Sequence, residues 1–270
     1  MPELPEVETT CAGIAPHIIG QPLRKVEVRD GRLRWPIPED LNEIVAGQIL
    51  EKVTRRGKYV LMHFQTGGLI GHLGMTGSMR IVTADEPAAY HDHFDLCFDD
   101  CLVRYRDPRR FGSLLWQDYP LEGHALLADL GPEPLTDDFN VDVLHVACKG
   151  KKQPIKTLIM DSKKVVGVGN IYANEALFMA GINPNRQAGR VSKKRLAVLV
   201  EAIKQVLADA IKQGGTTLRN FVDSEGNPGY FKQKLQVYGR TGKPCRKCGD
   251  ALIEVRLGQR STVYCRHCQR

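Results

Sequence analysis

The spacing of hydrophobic positions changes along the chain, and each change predicts a different kind of element. Near the N-terminus, apolar side chains recur at spacings of four, three and four residues, at Val7, Cys11, Ile14 and Ile18. This period places them on one face of a helix, which we expect over residues 4–19. Pro16 falls near the end of this segment, where a proline bends or terminates a helix.

Between residues 26 and 116 the apolar positions form short runs separated by Gly, Pro and Asp-Asp. Such runs, with turn residues between them, are typical of β-strands. The predicted strands are 26–28, 49–54, 59–64, 69–72, 79–82, 94–98, 102–106 and 113–116. About eight short strands at this spacing favour a two-sheet sandwich or a barrel.

The strand pattern stops at residues 131–134, Gly-Pro-Glu-Pro, which makes this stretch a candidate hinge. Beyond it the apolar positions follow a helical period. The predicted helices are 155–160, 171–179 and 192–212. Gly214-Gly215 ends the last helix, and residues 216–231 form a polar stretch without a strong period. A stretch of this length is unusual unless it is functional or disordered.

The composition is that of an ordinary globular chain, with 42% hydrophobic and 26% charged residues. It contains no run of about 18 apolar residues that would span a bilayer. Residues 1–6, MPELPE, are acidic and rich in proline, the opposite of a secretory or mitochondrial leader. The sequence therefore does not predict an exported or membrane protein.

Charge is distributed unevenly between the two halves of the chain. Residues 1–148 contain 14 Lys and Arg against 23 Asp and Glu, whereas residues 149–270 contain 24 against 8. The strongly basic C-terminal half favours a polyanionic partner, with nucleic acid the first candidate. A solvated basic surface without a partner is the alternative.

Four of the eight cysteines lie in the last 26 residues, in the pattern Cys245-x2-Cys248, sixteen residues, Cys265-x2-Cys268. Two such knuckles, each supplying two thiolates, predict one tetrahedral structural Zn²⁺. Two disulfides are the weaker alternative, because the chain has no leader. Four sulfur ligands leave no open coordination position, so we expect the metal to stabilise the fold and to do no chemistry.

Pro2 is a candidate nucleophile, because removal of Met1 would leave a secondary amine at the chain end. An α-amino group has an ordinary pKa of about 7.7–8.0, so part of it is unprotonated near neutrality. Its attack on a sugar C1′ would give an iminium ion, with Glu3 and Glu6 placed to transfer protons. The alternative is structural, since acidic residues are also favoured in a first helical turn.

Six further motifs occur in order along the chain. They are PELPEVET at 2–9, GKY at 57–59, GHLGMTG at 71–77, DPRRFG at 107–112, VVGVGNIY at 165–172 and QRSTVYC at 259–265. Together with the cysteine spacing, this set resembles the formamidopyrimidine-DNA glycosylase family, bacterial enzymes that remove 8-oxoguanine from DNA. The resemblance covers the whole chain.

The resemblance implies catalytic roles for four residues. Pro2 would be the nucleophile, Glu3 the acid at the ribose and Glu6 a supporting group. Lys58 would lie beside the nucleophile and hold a phosphate of the damaged strand, since a buried phosphate requires a cation. Without the resemblance, an isolated lysine such as Lys58 is more often a solvated turn residue.

The resemblance also implies a set of DNA-binding residues. His72, Asn170 and Arg260 would contact phosphates, although Asn170 could equally be a helix N-cap. Met75 and Phe111 would fill the space left by the flipped base, with Arg109 donating to the orphaned cytosine; as isolated residues, Met and Phe are more often core. The stretch 216–231 would be the lesion-recognition loop, with Arg219 as its best-placed cation.

The expected fold class is therefore α+β. We expect an N-terminal two-layer β-sandwich with flanking helices, and a C-terminal helical domain with a helix–two-turn–helix and a four-cysteine zinc-finger β-hairpin. The expected boundaries are a catalytic domain at 1–131, a linker at 132–149, a DNA-binding domain at 150–237 and a zinc finger at 238–270.

The function that the resemblance implies is base-excision repair: removal of oxidised purines through a Schiff base at Pro2, followed by strand cleavage by β,δ-elimination. The implied partner is double-stranded DNA with oxidised bases, bound by a monomer in the cytoplasm at the nucleoid. An endonuclease VIII-type enzyme for oxidised pyrimidines is one alternative, which Leu4 and the Arg109-x-Phe111 pair disfavour. A catalytically inactive zinc-finger DNA-binding protein is the other, and the joint presence of Pro2, Glu3, Glu6 and Lys58 argues against it.

Overall fold

The computed structural model describes residues 2–215 and 235–270. These residues fall into two units, one with 2–129 and 213–215 and the other with 130–212 and 235–270. The predicted lesion loop at 216–231, including Arg219, lies outside the described residues. None of the helices in the described ranges is long and apolar enough to cross a lipid bilayer.

The first unit combines two helices with eight strands. The helices are α1 (Leu4–Ile18) and α2 (Leu41–Val45), and the strands are β1 (Lys25–Val28), β2 (Lys52–Arg56), β3 (Tyr59–His63), β4 (Gly67–His72), β5 (Ser78–Val82), β6 (Asp92–Cys97), β7 (Leu102–Arg106) and β8 (Ser113–Asp118). All eight predicted strands are present, but β2 begins three residues later than expected, because Ile49 instead forms an isolated bridge with Pro22.

The strands form two four-stranded antiparallel sheets, in the orders β1-β6-β7-β5 and β2-β3-β4-β8. Both sheets contribute to one hydrophobic core, which confirms the predicted sandwich. The predicted apolar face of α1 packs into the same core, with Val7, Ile14 and Ile18 fully buried. Pro16 does not end this helix, which continues to Ile18.

The second unit is helical and ends in a β-hairpin. Its elements are α3 (Val141–Cys148), α4 (Ile155–Ile159), α5 (Asn170–Met179), α6 (Lys193–Lys212), β9 (Ile253–Leu257) and β10 (Arg260–Tyr264). Helix α5 is buried on nearly all sides, which explains its lack of an amphipathic pattern. A second core joins Phe178 of α5 to the cysteine-containing segment.

Helix α3 was not predicted, and it lies within the segment expected to be a linker. Asn140 caps its N-terminus by accepting the backbone N–H groups of Asp142 and Val143, both at 3.1 Å. The helix buries only Leu144 and Cys148. Two buried positions in eight residues make too short a period to be recognised in the sequence.

Candidate functional site

Three of the four residues predicted to be catalytic are buried at the N-terminus of α1. Pro2 is buried, Glu3 is 2% exposed and Glu6 is fully buried. The two carboxylates form a reciprocal capping box, in which Glu6 Oε2 accepts the Glu3 N–H at 2.8 Å. The positive end of the helix dipole is a favourable place for acidic side chains. This arrangement holds two acids within the first turn, directly after the chain terminus.

Gly215 lies beside the Glu6 carboxyl group. An ideal Cβ on Gly215 would be 3.1 Å from Glu6 Oε1, and the φ angle of this glycine is +80°. A side chain here would therefore be strained and would press on Glu6. The segment 216–231 therefore follows directly after a residue that lies beside the Glu6 carboxyl group.

The turn between β2 and β3 places Lys58 near the C-terminal end of β4, because the next residue, Tyr59, is opposite His72. Gly57 has a φ of 59°, and Arg55 ties β2 to α1 through an ion pair between Arg55 Nε and Glu8 Oε2 at 2.7 Å. Tyr59 pairs across the strands with His72, with ring centroids 5.0 Å apart. The structure therefore brings Lys58 and His72 to the same part of the sheet.

His72 is a neutral hydrogen-bonding group. Burial, together with the positive charges of Lys58 and Arg34, lowers the pKa of His72 to about 4. Its Nδ1 accepts the Gly74 N–H at 2.9 Å, so the ring proton is on Nε2. Any phosphate at this position would be met by an N–H donor and not by an imidazolium charge.

Two loops of the first unit pack tightly together and present Met75 and Phe111. An ideal Cβ on Gly74 would lie 2.5 Å from Gly112 N, so only glycine permits this approach. Met75 and Phe111 remain 37% and 43% exposed, unlike core residues of their type. The Arg109 guanidinium lies 4.6 Å from the centroid of the Phe111 ring. Met75, Arg109 and Phe111, which we call the wedge residues, are therefore exposed on adjoining loops.

The carboxylate of Asp107 holds these loops in place and is fully buried. Its Oδ1 accepts from Thr76 Oγ1 at 2.6 Å and from the Arg109 N–H at 3.2 Å. Its Oδ2 accepts from the Tyr105 hydroxyl at 3.0 Å and from the Gly112 N–H at 2.9 Å. Burial and the Asp107 charge raise the pKa of Tyr105 well above its ordinary value, which keeps that hydroxyl protonated.

In the second unit, Asn170 is the first residue of α5, and Gly169 is the N-cap. The alternative that Asn170 caps the helix is therefore wrong. Its Oδ1 accepts from Lys156 Nζ at 2.7 Å, and Lys156 is fully buried. Lys156 Nζ also donates to Ser261 O at 2.9 Å and to Thr262 Oγ1 at 2.6 Å. One lysine thus joins the start of α5 to strand β10.

Arg260 is exposed at the tip of the β9–β10 hairpin. The two tip residues, Gly258 and Gln259, have φ angles of 53° and 61°, which is the pattern of a type I′ turn. The strand that follows is anchored to α5, because the Val263 N–H donates to Asn174 Oδ1 at 2.9 Å. The hairpin tip therefore has a fixed base on the same helix that begins with Asn170.

The four predicted cysteine ligands come together, with all four Sγ atoms within 4.8 Å of one another. Cys245 Sγ lies 3.9 Å from Cys268 Sγ, and Cys248 Sγ lies 3.5 Å from Cys265 Sγ. A tetrahedral ion with Zn–S bonds of about 2.3 Å separates its sulfurs by roughly 3.8 Å, so the cluster fits one Zn²⁺. The Lys247 N–H approaches Cys245 Sγ at 3.4 Å, a contact typical of zinc knuckles.

Sequence reasoning missed three buried charged residues, Asp107, Lys156 and Glu175. Glu175 accepts backbone N–H groups from residues 236–238 at 2.7–3.0 Å, although burial raises the pKa of this carboxyl. Asp107 lies in the 107–112 motif and Glu175 lies three residues beyond the 165–172 motif, whereas Lys156 lies in none of the six motifs. Each has at least one partner far along the chain, such as Thr76 for Asp107 and Thr262 for Lys156. The available signal for Lys156 was a charged residue inside the predicted helix 155–160, in which most of the other residues are apolar.

Three family models match the chain. The formamidopyrimidine-DNA glycosylase N-terminal domain matches residues 1–114, its H2TH domain matches 130–222, and a zinc finger found in FPG and IleRS matches 242–270. The formamidopyrimidine-DNA glycosylases of Marinomonas sp. (strain MWYL1) and Idiomarina loihiensis are 58% and 57% identical over 271 residues, with all of both chains covered.

Solved structures agree with these matches. A Lactococcus lactis FPG mutant in complex with a Fapy-dG containing DNA has a TM-score of 0.94 at 32% identity, with both chains fully covered. The MutM (FPG) protein of Thermus thermophilus has a TM-score of 0.90 at 37% identity, covering 99% of this chain and 98% of that one. Sequence and structure together show that the chain belongs to the formamidopyrimidine-DNA glycosylase family.

Proposed function

We propose that this chain is a bifunctional DNA glycosylase and AP lyase, which removes oxidised purines such as 8-oxoguanine and formamidopyrimidines from double-stranded DNA. The observation that carries the proposal is the burial of Pro2, Glu3 and Glu6 at the N-terminus of α1. Carboxylates buried at a chain terminus are costly unless they are used or paired. Here each carboxylate accepts a backbone N–H group of the capping box, which fixes its position.

In the proposed reaction, the Pro2 amine attacks C1′ and the bond from C1′ to the base nitrogen breaks, so that the base leaves with a proton. Glu3 protonates the ring oxygen O4′ as its bond to C1′ opens, which gives the iminium ion. Loss of a C2′ proton then expels the 3′-phosphate, and a second elimination expels the 5′-phosphate. Water finally hydrolyses the iminium and restores the amine.

The other predicted site residues of the first unit would hold the damaged strand and fill the space that the flipped base leaves. Lys58 supplies a charge for a phosphate near the nucleophile, and His72 supplies an Nε2–H donor. Extruding a base costs a few kcal/mol, and Met75 and Phe111 would offset part of that cost with their exposed apolar surface. Arg109, stacked on Phe111, would donate to the base left without a partner.

The second unit would bind the backbone through Asn170 and Arg260, with the predicted domain at 150–237 and the zinc finger at 238–270 acting together. A single structural Zn²⁺ would hold the base of the hairpin. Solved relatives in complex with Fapy-dG DNA and with abasic-site DNA support double-stranded DNA as the partner. We also propose that the protein acts as a monomer, in the cytoplasm at the nucleoid.

Borohydride trapping on an 8-oxoguanine duplex tests this function. The expected result is a covalent protein–DNA adduct. Mass spectrometry of the trapped peptide should show that the sugar is attached to Pro2. Retention of Met1 should abolish both base removal and trapping, whereas Glu3→Gln should keep DNA binding and lose base removal. Attachment of the sugar to Lys58, or a preference for oxidised pyrimidines, would contradict the proposal.

A further inference from the structure

A strongly basic turn connects α3 to α4. It consists of residues 149–152, Lys-Gly-Lys-Lys, and all three lysine side chains are exposed. Arg190, in the short 3₁₀ helix Ala188–Arg190, is exposed as well. We refer to residues 149–152 together with Arg190 as the basic turn.

The backbone of the basic turn is held in one conformation. The Lys151 N–H donates to Cys148 O at 3.0 Å, and the Gly189 N–H donates to Lys151 O at 2.9 Å. An ideal Cβ on Gly189 would lie 3.1 Å from both Lys151 N and Lys151 O, so the close approach of these two segments suits a glycine. The cations are therefore presented by a rigid scaffold and not by a loose loop.

The charge of the basic turn is not neutralised within the described residues. In the ranges 2–215 and 235–270, none of its four cationic side chains forms an ion pair. The acidic residue of the preceding helix, Asp142, is instead paired with Lys193. Four clustered and uncompensated cations create a positive potential that attracts a polyanion.

The segment 149–152 of the basic turn ends at the edge of a cavity whose lining includes a proposed DNA contact. This cavity has a volume of about 320 Å³, and its lining includes Gln153, Lys156 and Arg260. Gln153 directly follows the turn, and its carbonyl accepts the Ala188 N–H at 2.9 Å. The turn and the hairpin tip therefore lie on the same side of the second unit, separated by this cavity.

We propose that the basic turn binds the phosphate backbone of the DNA duplex, beyond the nucleotides that Asn170 and Arg260 contact. This inference rests on the proposed function and extends its DNA footprint. Lysine point charges suit phosphates of any sequence, so the contact would add affinity without reading the lesion.

The salt dependence of DNA binding tests this inference. Each phosphate contact contributes about 0.9 to the slope of log Kd against log salt concentration, so Lys151→Gln/Lys152→Gln should lower the slope by about two. The loss should occur on a long duplex with a stable abasic analogue. It should be absent on a short duplex trimmed to the nucleotides next to the lesion.

The matched control is Lys25→Gln/Lys52→Gln, which removes the same charge from exposed positions of the first unit. This variant should keep the wild-type slope on both duplexes. An unchanged slope for the basic-turn variant on the long duplex, or an equal loss in the control, would overturn the inference. Failure of the proposed function is distinguishable, because the wild-type protein would then give no borohydride adduct.

Discussion

At the scale of single residues, the buried carboxylate of Asp107 determines where the exposed wedge residues lie. It accepts four hydrogen bonds, from the side chains of Thr76 and Tyr105 and from the backbone of Arg109 and Gly112. None of the described side chains that are proposed to touch DNA forms a hydrogen bond with this carboxylate. Arg109 contacts it only through its backbone N–H. Asp107 is therefore a positioning residue for the two loops.

Replacing Asp107 should damage both stability and base removal. Asp107→Ala leaves buried donors without an acceptor, so we expect a loss of about 2–4 kcal/mol in the free energy of unfolding. Chemical denaturation measures this loss. The control is Asp118→Ala, which removes an exposed carboxylate that accepts from Trp116 Nε1 and should change stability by no more than about 0.5 kcal/mol. Equal stability of the two variants would contradict the role of Asp107.

His72 makes the stability of the protein dependent on pH in the acidic range. Its folded-state pKa of about 4 lies below the ordinary value of 6.5, because burial and nearby cations disfavour the imidazolium. The unfolded state therefore binds more protons between these two values, and the free energy of unfolding falls as the pH drops from 6.5 to 4.

The loss that His72 causes should be on the order of 1–3 kcal/mol. It is measured by denaturation of the wild type and of His72→Gln across this range, since glutamine does not titrate. The difference in the free energy of unfolding between the wild type and His72→Gln should shrink as the pH falls. A constant difference would show that His72 is not neutral in the folded state.

At the scale of elements, Lys156 makes α4, the start of α5 and strand β10 one polar network. Its oxygen partners include Asn170 Oδ1, Ser261 O and Thr262 Oγ1. Of the two proposed phosphate contacts in this unit, Asn170 is bonded directly to Lys156. The other, Arg260, directly precedes Ser261, whose carbonyl oxygen accepts from Lys156.

Lys156→Met should weaken DNA binding although the residue is buried. Asn170 and β10 would lose their common donor, with a cost of about 2–4 kcal/mol in the free energy of unfolding. In a double-mutant cycle for DNA affinity, Lys156→Met and Asn170→Ala should be non-additive by roughly 0.5–3 kcal/mol. Lys204→Met, which removes a surface bond to Thr136 O, is the control and should be additive with Asn170→Ala.

At the scale of the whole molecule, the acidic and the basic halves of the sequence have different proposed roles. The acidic half of the sequence contains the proposed nucleophile and the proposed proton-transfer groups, whereas the basic half contains the proposed backbone contacts and the cysteine cluster. Phosphate contacts give affinity that depends on salt but not on the lesion. The reaction and the general affinity for DNA are thereby assigned to different parts of the chain.

Loss of the metal should reduce affinity without abolishing the fold of the first unit. Cys248→Ser removes one thiolate, so we expect no bound zinc by metal analysis and weaker binding of damaged and intact duplexes alike. Cys101→Ser, at a thiol outside the cluster, should retain one zinc and full affinity. Full affinity in a metal-free Cys248→Ser protein would contradict a structural role for the ion.

The sequence alone determined the elements whose signal is local. The period of α1, the eight strand runs and the spacing of the four cysteines each depend on residues close together in the chain, and the structure confirms them. Short α3 escaped prediction, because two buried positions do not establish a period. The candidate nucleophile and acids were proposed from the amine chemistry of Pro2 and the nearby carboxylates, and then from the resemblance that the ordered motifs carry.

Only the tertiary structure revealed the partners of the buried polar groups. Lys156 meets Thr262 across 106 positions, and Thr76 meets Asp107 across 31. The neutral state of His72 likewise depends on burial and on the charges of Lys58 and Arg34. Such contacts leave no period or spacing in the sequence, because hydrogen bonds and desolvation depend on distance in space and not on separation along the chain.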